Sequence, residues 1–175
     1  MSTMFRRRLT RWQAETERAD LAELYAVARP GGQETADQEA FLRRLVDHDL
    51  GQPEFDMILA GDPRPAGCVW GFRVDAENAW WTAYAEPPVA PDVFVVAGLL
   101  VAPRSRRQGV AVGLVQQMLS RTRAPLALAP VEADDALAHA SYGAWGWTPG
   151  GPLTPSDGSP PLRTWTLADP SRRTF

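Results

Sequence analysis

The apolar run Val93–Val101 leads directly into Pro103-Arg104-Ser105-Arg106-Arg107-Gln108-Gly109, and a helical repeat begins at Val110. Nine residues that are almost all apolar, bounded by Pro91 and Pro103, read as a central strand covered on both faces. The helix is predicted over Val110–Arg121, with Val110, Leu114, Val115, Met118 and Leu119 on one side. A covered strand that opens through an Arg/Gly loop onto a helix calls for helices packed against a sheet, an α/β or α+β arrangement.

The flanking segments extend this pattern. Phe5–Trp12 alternates and is predicted as a first strand, with Arg6 and Arg8 on one face. Thr16–Ala28 reads as a helix ended by Pro30-Gly31-Gly32. A second helix is expected from Asp37 to Leu50, its stripe made of Phe41, Leu42, Leu45 and Val46. Phe55–Ala60 and Cys68–Val74 read as a hairpin around the turn Gly61–Pro65. Asp75–Asp92 is a long connection, of a length that often carries function. Pro125–Ala129 is a further strand, Asp134-Asp135 can cap a helix running to Ala144, and Trp147 and Leu162–Leu167 close the fold as strands. The expected order is β-α-α-β-β-β-α-β-α-β-β.

A length of 175 residues suits one domain over 1–175. The net charge of −3 argues against a dedicated nucleic-acid binder. Cys68 is the one cysteine, so no internal disulfide forms, and no Cys/His cluster suggests a metal. No run approaches the ~20 apolar residues of a membrane span, and no signal peptide is evident, so a soluble, cytoplasmic protein is expected. All 18 basic side chains are arginine. That removes a Schiff-base lysine and a Walker lysine from consideration.

The loop before Val110 is where chemistry concentrates. A helix N-terminus offers unpaired amide N–H groups and the positive end of a dipole, which together bind phosphate. Gly109 has no Cβ to hold an anion away. Arg104, Arg106 and Arg107 add positive charge.

Arg106-Arg107-Gln108-Gly109-Val110-Ala111 resembles the Arg/Gln-x-x-Gly-x-Gly/Ala acetyl-CoA signature of the Gcn5-related N-acetyltransferase (GNAT) superfamily. Leu99-Leu100-Val101-Ala102-Pro103 is similar to the strand that precedes it. Ala138-His139-Ala140-Ser141-Tyr142-Gly143-Ala144-Trp145-Gly146-Trp147 resembles the family's Ala-x-x-x-Tyr-x-x-x-Gly-Phe segment, with Trp147 in place of Phe. The signature core spans about 93–148. The resemblance implies a mixed, mostly antiparallel sheet of about six or seven strands flanked by about four helices, splayed between the fourth and fifth strands.

The resemblance also implies a role for particular residues. Leu99, Leu100 and Val101 would pair with the pantetheine arm of acetyl-CoA, the co-substrate. Arg106, Arg107, Gln108, Gly109, Val110 and Ala111, extended to Val112 and Gly113, would hold its pyrophosphate. Asp135 falls where many relatives carry an Asn that touches the cofactor arm; its alternative role is the N-cap of its own helix. Tyr142 matches the position that commonly donates a proton to the CoA sulfur. The acceptor would be a primary amine of a small molecule or peptide that attacks the thioester directly. A homodimer is compatible with the family, a metal is not called for, and tRNA enters only under an alternative. In that alternative the donor is aminoacyl-tRNA or an acyl carrier; in a third the chain is a non-catalytic acyl-CoA-binding subunit.

The general base is left open. Many relatives carry a Glu near the middle of the central strand, where this chain has Gly98. Candidates elsewhere are Glu77, Glu86, Asp92 and His139. Trp80, Trp81 and Tyr84 either wall an acceptor pocket or pack their loop onto the sheet. Trp70, Trp145 and Trp165 are expected in the core, Cys68 as an inert buried thiol, and Arg6-Arg7-Arg8 as a solvated edge.

Overall fold

A computed structural model of the chain describes residues 4–29, 32–87 and 92–175. In chain order the elements are β1 (Arg6–Leu9), α1 (Arg11–Thr16), α2 (Arg18–Ala28), α3 (Thr35–Arg44), β2 (Asp56–Ala60), β3 (Gly67–Asp75), β4 (Tyr84–Ala85), β5 (Asp92–Val101), α4 (Val110–Leu119), β6 (Leu126–Glu132), α5 (Ala136–Ala144), β7 (Thr148–Pro149), β8 (Thr154–Pro155) and β9 (Leu162–Ala168). A seven-stranded sheet takes the order β1-β2-β3-β5-β6-β9-β7, and β4 pairs with β8 apart from it. The sheet is mixed. β5 and β6 run parallel, whereas β1–β2, β2–β3, β6–β9 and β7–β9 are antiparallel. Parallel neighbours need a crossover, and α4 lies between β5 and β6 in the chain.

The β5–β6 ladder matches Val93–Val95 with Leu126–Leu128. Past it, Ala97, Gly98 and Leu99 are half-exposed.

The chain forms two compact units, Met1–Phe72 with Ala97–Met118, and Arg73–Val96 with Leu119–Phe175. In the first, Leu21, Leu24, Phe41, Leu45, Met57, Leu59 and Trp70 make the core. Every residue of β3 from Gly67 to Phe72 is buried, as befits a strand with both faces covered. The expected strand Phe5–Trp12 is cut short. The Thr10 hydroxyl accepts from Gln13 N while the Gln13 side chain accepts from Thr10 N, a capping box that starts α1 at Arg11 and carries Trp12 into a helix. The expected helix stop at Pro30 and Gly31 lies outside the described residues, as do residues 88–91 of the long connection.

Arg6-Arg7-Arg8 does lie on an edge strand of the sheet, but the three residues are half-buried rather than solvated. Arg8 pairs with Asp56 and donates to the Gln117 carbonyl at 2.9 Å, at the last turn of α4. Arg7 pairs with Glu17 at 2.7 Å. Arg6 lies over Gly113, where an added Cβ would stand 2.3 Å from its guanidinium nitrogen.

In the second unit, β6 pairs with β9 along its whole length, from Leu126↔Ala168 to Glu132↔Leu162. Tyr142 on α5 packs among Trp145, Trp147 and Trp165, with ring centroids 5.3, 4.9 and 6.4 Å away. Phe175 closes this cluster over Trp145 and Trp147.

Candidate active site

In the first unit, β5 ends in a loop tied down by side chains. Ala102 N donates to Ala66 O, and a short 3-10 turn follows over Pro103–Ser105. Arg104 donates to Pro65 O at 3.0 Å, Gln108 Nε2 to Arg104 O at 3.2 Å, and Arg106 to Ala28 O at 2.8 Å. Ala28 is the last residue of α2, so the Arg106 guanidinium satisfies a carbonyl at the negative end of that helix. Two of the three loop arginines thus fix the loop's shape as well as adding charge.

Arg107 has φ +63° and Gly109 φ +74°. A left-handed residue other than glycine is uncommon, and such strain clusters at binding and catalytic sites. Arg107, Gln108 and Gly109 are exposed, and a Cβ added at Gly109 would meet nothing within 4 Å. The loop then enters α4, whose first-turn amides have no intrahelical acceptor. The Gly113 amide is different: it already donates to Gly109 O at 3.1 Å. With that bond made, the Gly113 N–H is not a free donor for the pyrophosphate it was expected to help hold. Gly67 lets α4 approach β3, because a Cβ there would sit 3.0 Å from Val110 and 3.2 Å from Leu114. The predicted stripe of α4 is buried at Val110, Leu114, Val115, Met118 and Leu119.

Leu100 is buried, while Leu99 and Val101 are half-exposed. At Gly98 the side-chain space is filled. An added Cβ would stand 2.0–2.4 Å from three carbons of the Trp70 indole. No acid fits at this position while Trp70 holds its place. Gly98→Ala is expected to destabilise the protein by about 1–3 kcal/mol through overpacking, read as a lower urea midpoint at unchanged slope.

Trp70 leads to a residue that the sequence analysis passed over. Its indole N–H donates to Asp49 Oδ2 at 3.0 Å. Asp49 is 7% exposed, and burial pushes its carboxyl above the ordinary range, with the Trp70 bond, Arg44 and His48 opposing. The signal was available: Asp49 continues the stripe Phe41, Leu42, Leu45, Val46 at i+3 and i+4, a carboxylate on an apolar face.

In the second unit, Tyr142 is buried, and burial raises its phenol above the usual value, with Asp135 adding to the effect. Asp135 caps α5, its Oδ1 accepting from Ala138 N at 3.1 Å. His139 is occupied at both ring nitrogens. Nδ1 accepts from the Trp165 indole at 2.9 Å and Nε2 donates to Glu132 O at 2.9 Å, which assigns the neutral Nε2–H tautomer. The expectation of His139 as base is corrected on that ground: the ring ties α5 to β6 and β9.

Asp92 is held by Arg73 through two bonds of 2.8 and 2.5 Å, which pull its carboxyl below the usual range and make it a weaker base. Glu77 and Glu86 are exposed. Trp80 and Trp81 lie in a 3-10 turn, Ala79–Ala83. Trp81 is buried and donates to Asp75 O at 2.7 Å, so it packs its loop. Trp80 and Tyr84 are half-buried, with ring centroids 5.0 Å apart. Cys68 is fully buried, which pushes its thiol far up and leaves it inert.

Among the described residues, no group of three His, Cys, Asp or Glu side chains could hold a metal ion, and no helix is long and apolar enough to cross a membrane.

Comparison with known proteins bears on the whole chain. The family described as Acetyltransferase (GNAT) family matches residues 18–147. No curated protein matches the sequence. Among solved structures, a GNAT-family acetyltransferase from Streptococcus agalactiae is 12% identical over 95% of each chain, with a TM-score of 0.64. Naa20 from Chaetomium thermophilum, in complex with a bisubstrate analogue, is 17% identical over 94% of this chain and 86% of its own, with a TM-score of 0.62. YncA from Salmonella typhimurium, solved with its cofactor acetyl-CoA, is 15% identical over 95% of this chain and 94% of its own, with a TM-score of 0.58. At these identities the likeness concerns the fold.

Proposed function

The chain belongs to the GNAT acetyltransferase family, and from that premise we propose that it is a single-domain N-acetyltransferase. It moves an acetyl group from acetyl-CoA to a primary amine of a small molecule or peptide. The observation that carries this reading is the loop between β5 and α4. Arg107 and Gly109 take left-handed backbone, the space above Gly109 is open, and the first turn of α4 follows at once.

The residues fit acetyl-CoA. Backbone amides from Arg107 to Val112 hold the pyrophosphate, where each hydrogen bond to a charged group is worth about 1.5–3 kcal/mol. Leu99–Val101 receive the pantetheine arm along the edge of β5. Bound acetyl-CoA supplies an activated thioester. Tyr142 gives a proton to the leaving sulfur; burial keeps its phenol in the protonated form and also makes it a weaker acid, so the transfer relies on the thiolate forming beside it. Trp80 and Tyr84 contribute to the acceptor's wall. Asp135 serves as the helix cap.

The test is isothermal titration with acetyl-CoA and with free CoA, after checking by mass for bound cofactor. Micromolar binding of both is expected, followed by thiol release across a panel of amines. A folded protein that binds neither would overturn the acetyl-CoA reading and direct the search to acyl carriers and aminoacyl-tRNA.

A further inference from the structure

Amide formation from an amine needs a group that takes the nitrogen's proton. β5 carries no acid between Val93 and Val101, yet it is half-exposed at Ala97, Gly98 and Leu99. The side-chain space at Gly98 is occupied by the Trp70 indole, and that indole ends on a carboxylate, Asp49. Asp49 closes a π-helical turn, Leu45–Asp49, a widened form of helix common at functional sites. Among the described residues it is the one buried side chain that can carry a charge, apart from Cys68 and Tyr142. Trp70 N–H holds Oδ2, and among the described residues no protein donor reaches Oδ1. Arg44 and His48, on its own helical segment, are the charged groups that act on it, and Trp70 faces it from β3.

We propose that Asp49 is the proton acceptor for the amine at the Ala97–Leu99 edge of β5, with Trp70 as the side chain that positions it; this rests on the acetyl-transfer reading above. Asp49 takes one proton from the neutral amine, directly or through one water, as the nitrogen–carbon bond forms. The carbon–sulfur bond breaks with its electron pair on sulfur, and Tyr142 protonates the sulfur. Solvent then removes the proton from Asp49 and restores that of Tyr142, so one amine and one thioester yield one amide and one thiol. The burial that raises the Asp49 carboxyl makes it a stronger base than an ordinary aspartate.

The experiment compares the wild type with Asp49→Asn, which keeps an oxygen for the Trp70 N–H. Turnover is expected to fall by about 100-fold or more, with acetyl-CoA affinity unchanged by calorimetry. The acidic limb of the kcat/KM profile should vanish. Trp70→Phe keeps the carboxylate but removes a bond that favours its charged form, so the same limb should move to higher pH. In the protein without ligand, carbon-13 NMR should show the Asp49 carboxyl titrating above about 3.9, the ordinary aspartate value. Asp49→Asn with turnover within threefold and the limb intact would overturn the proposal, as would an ordinary titration of Asp49. A wild type without thiol release would instead overturn the acetyl-transfer reading, and this inference with it.

Discussion

Gly109→Trp is expected to abolish CoA binding while leaving the chain folded. The open space above Gly109 is where the pyrophosphate would lie, and an indole would fill it. Losing two hydrogen bonds to a charged group removes about 3–6 kcal/mol, which is more than a hundredfold in Kd. The fold should survive because residue 109 is exposed and the side chain meets no neighbour there. Its φ of +74° does add strain, of about 1–2 kcal/mol for a side chain with a Cβ. That is a modest part of a typical stability of about 5–15 kcal/mol. Gly109→Ala carries the same strain with little bulk, so it separates the two effects. Calorimetric affinity in the tryptophan variant within a fewfold of wild type would sink the assignment of this loop.

Tyr142→Phe should lower kcat by about 100-fold or more while acetyl-CoA affinity stays put. The ring keeps its packing against Trp145, Trp147 and Trp165, so thermal unfolding should barely move. The raised phenol pKa adds a sign. Ionisation of a donor abolishes its role, and here that loss is displaced above about 10, the ordinary tyrosine value. Wild-type kcat should therefore show no alkaline decline from Tyr142 below that pH. A phenylalanine variant turning over within twofold of wild type would make Tyr142 a core residue and nothing more.

The elements with the strongest periodicity were the legible ones. β5 and the stripe of α4 follow from apolar spacing alone, because both are dictated by burial. Asp135 was read correctly as a possible cap because a cap needs only a local sequence. What escaped were features decided by distant partners. The capping box at Thr10 outcompeted the alternation of Phe5–Trp12. The sequence leaves Trp80 and Trp81 with one shared choice of roles, whereas a 3-10 turn opened by Asn78 buries Trp81 and leaves Trp80 half-buried. Arg6 and Arg8 find Gln117, more than a hundred residues away, a contact no local pattern announces. His139 looked free on its helix until Trp165 and the Glu132 carbonyl claimed both nitrogens. The site loop was half legible: its glycine and arginines stood out, while the carbonyls that hold Arg104 and Arg106 did not.

Those held arginines bear on thermodynamics. With Arg104, Arg106 and Gln108 each bonded to a carbonyl, the loop is shaped before any anion arrives. Its conformational entropy is lost during folding, not during association. A preorganised loop of this kind would put more of the contact energy into affinity, and through Arg106 it is tethered to the final turn of α2.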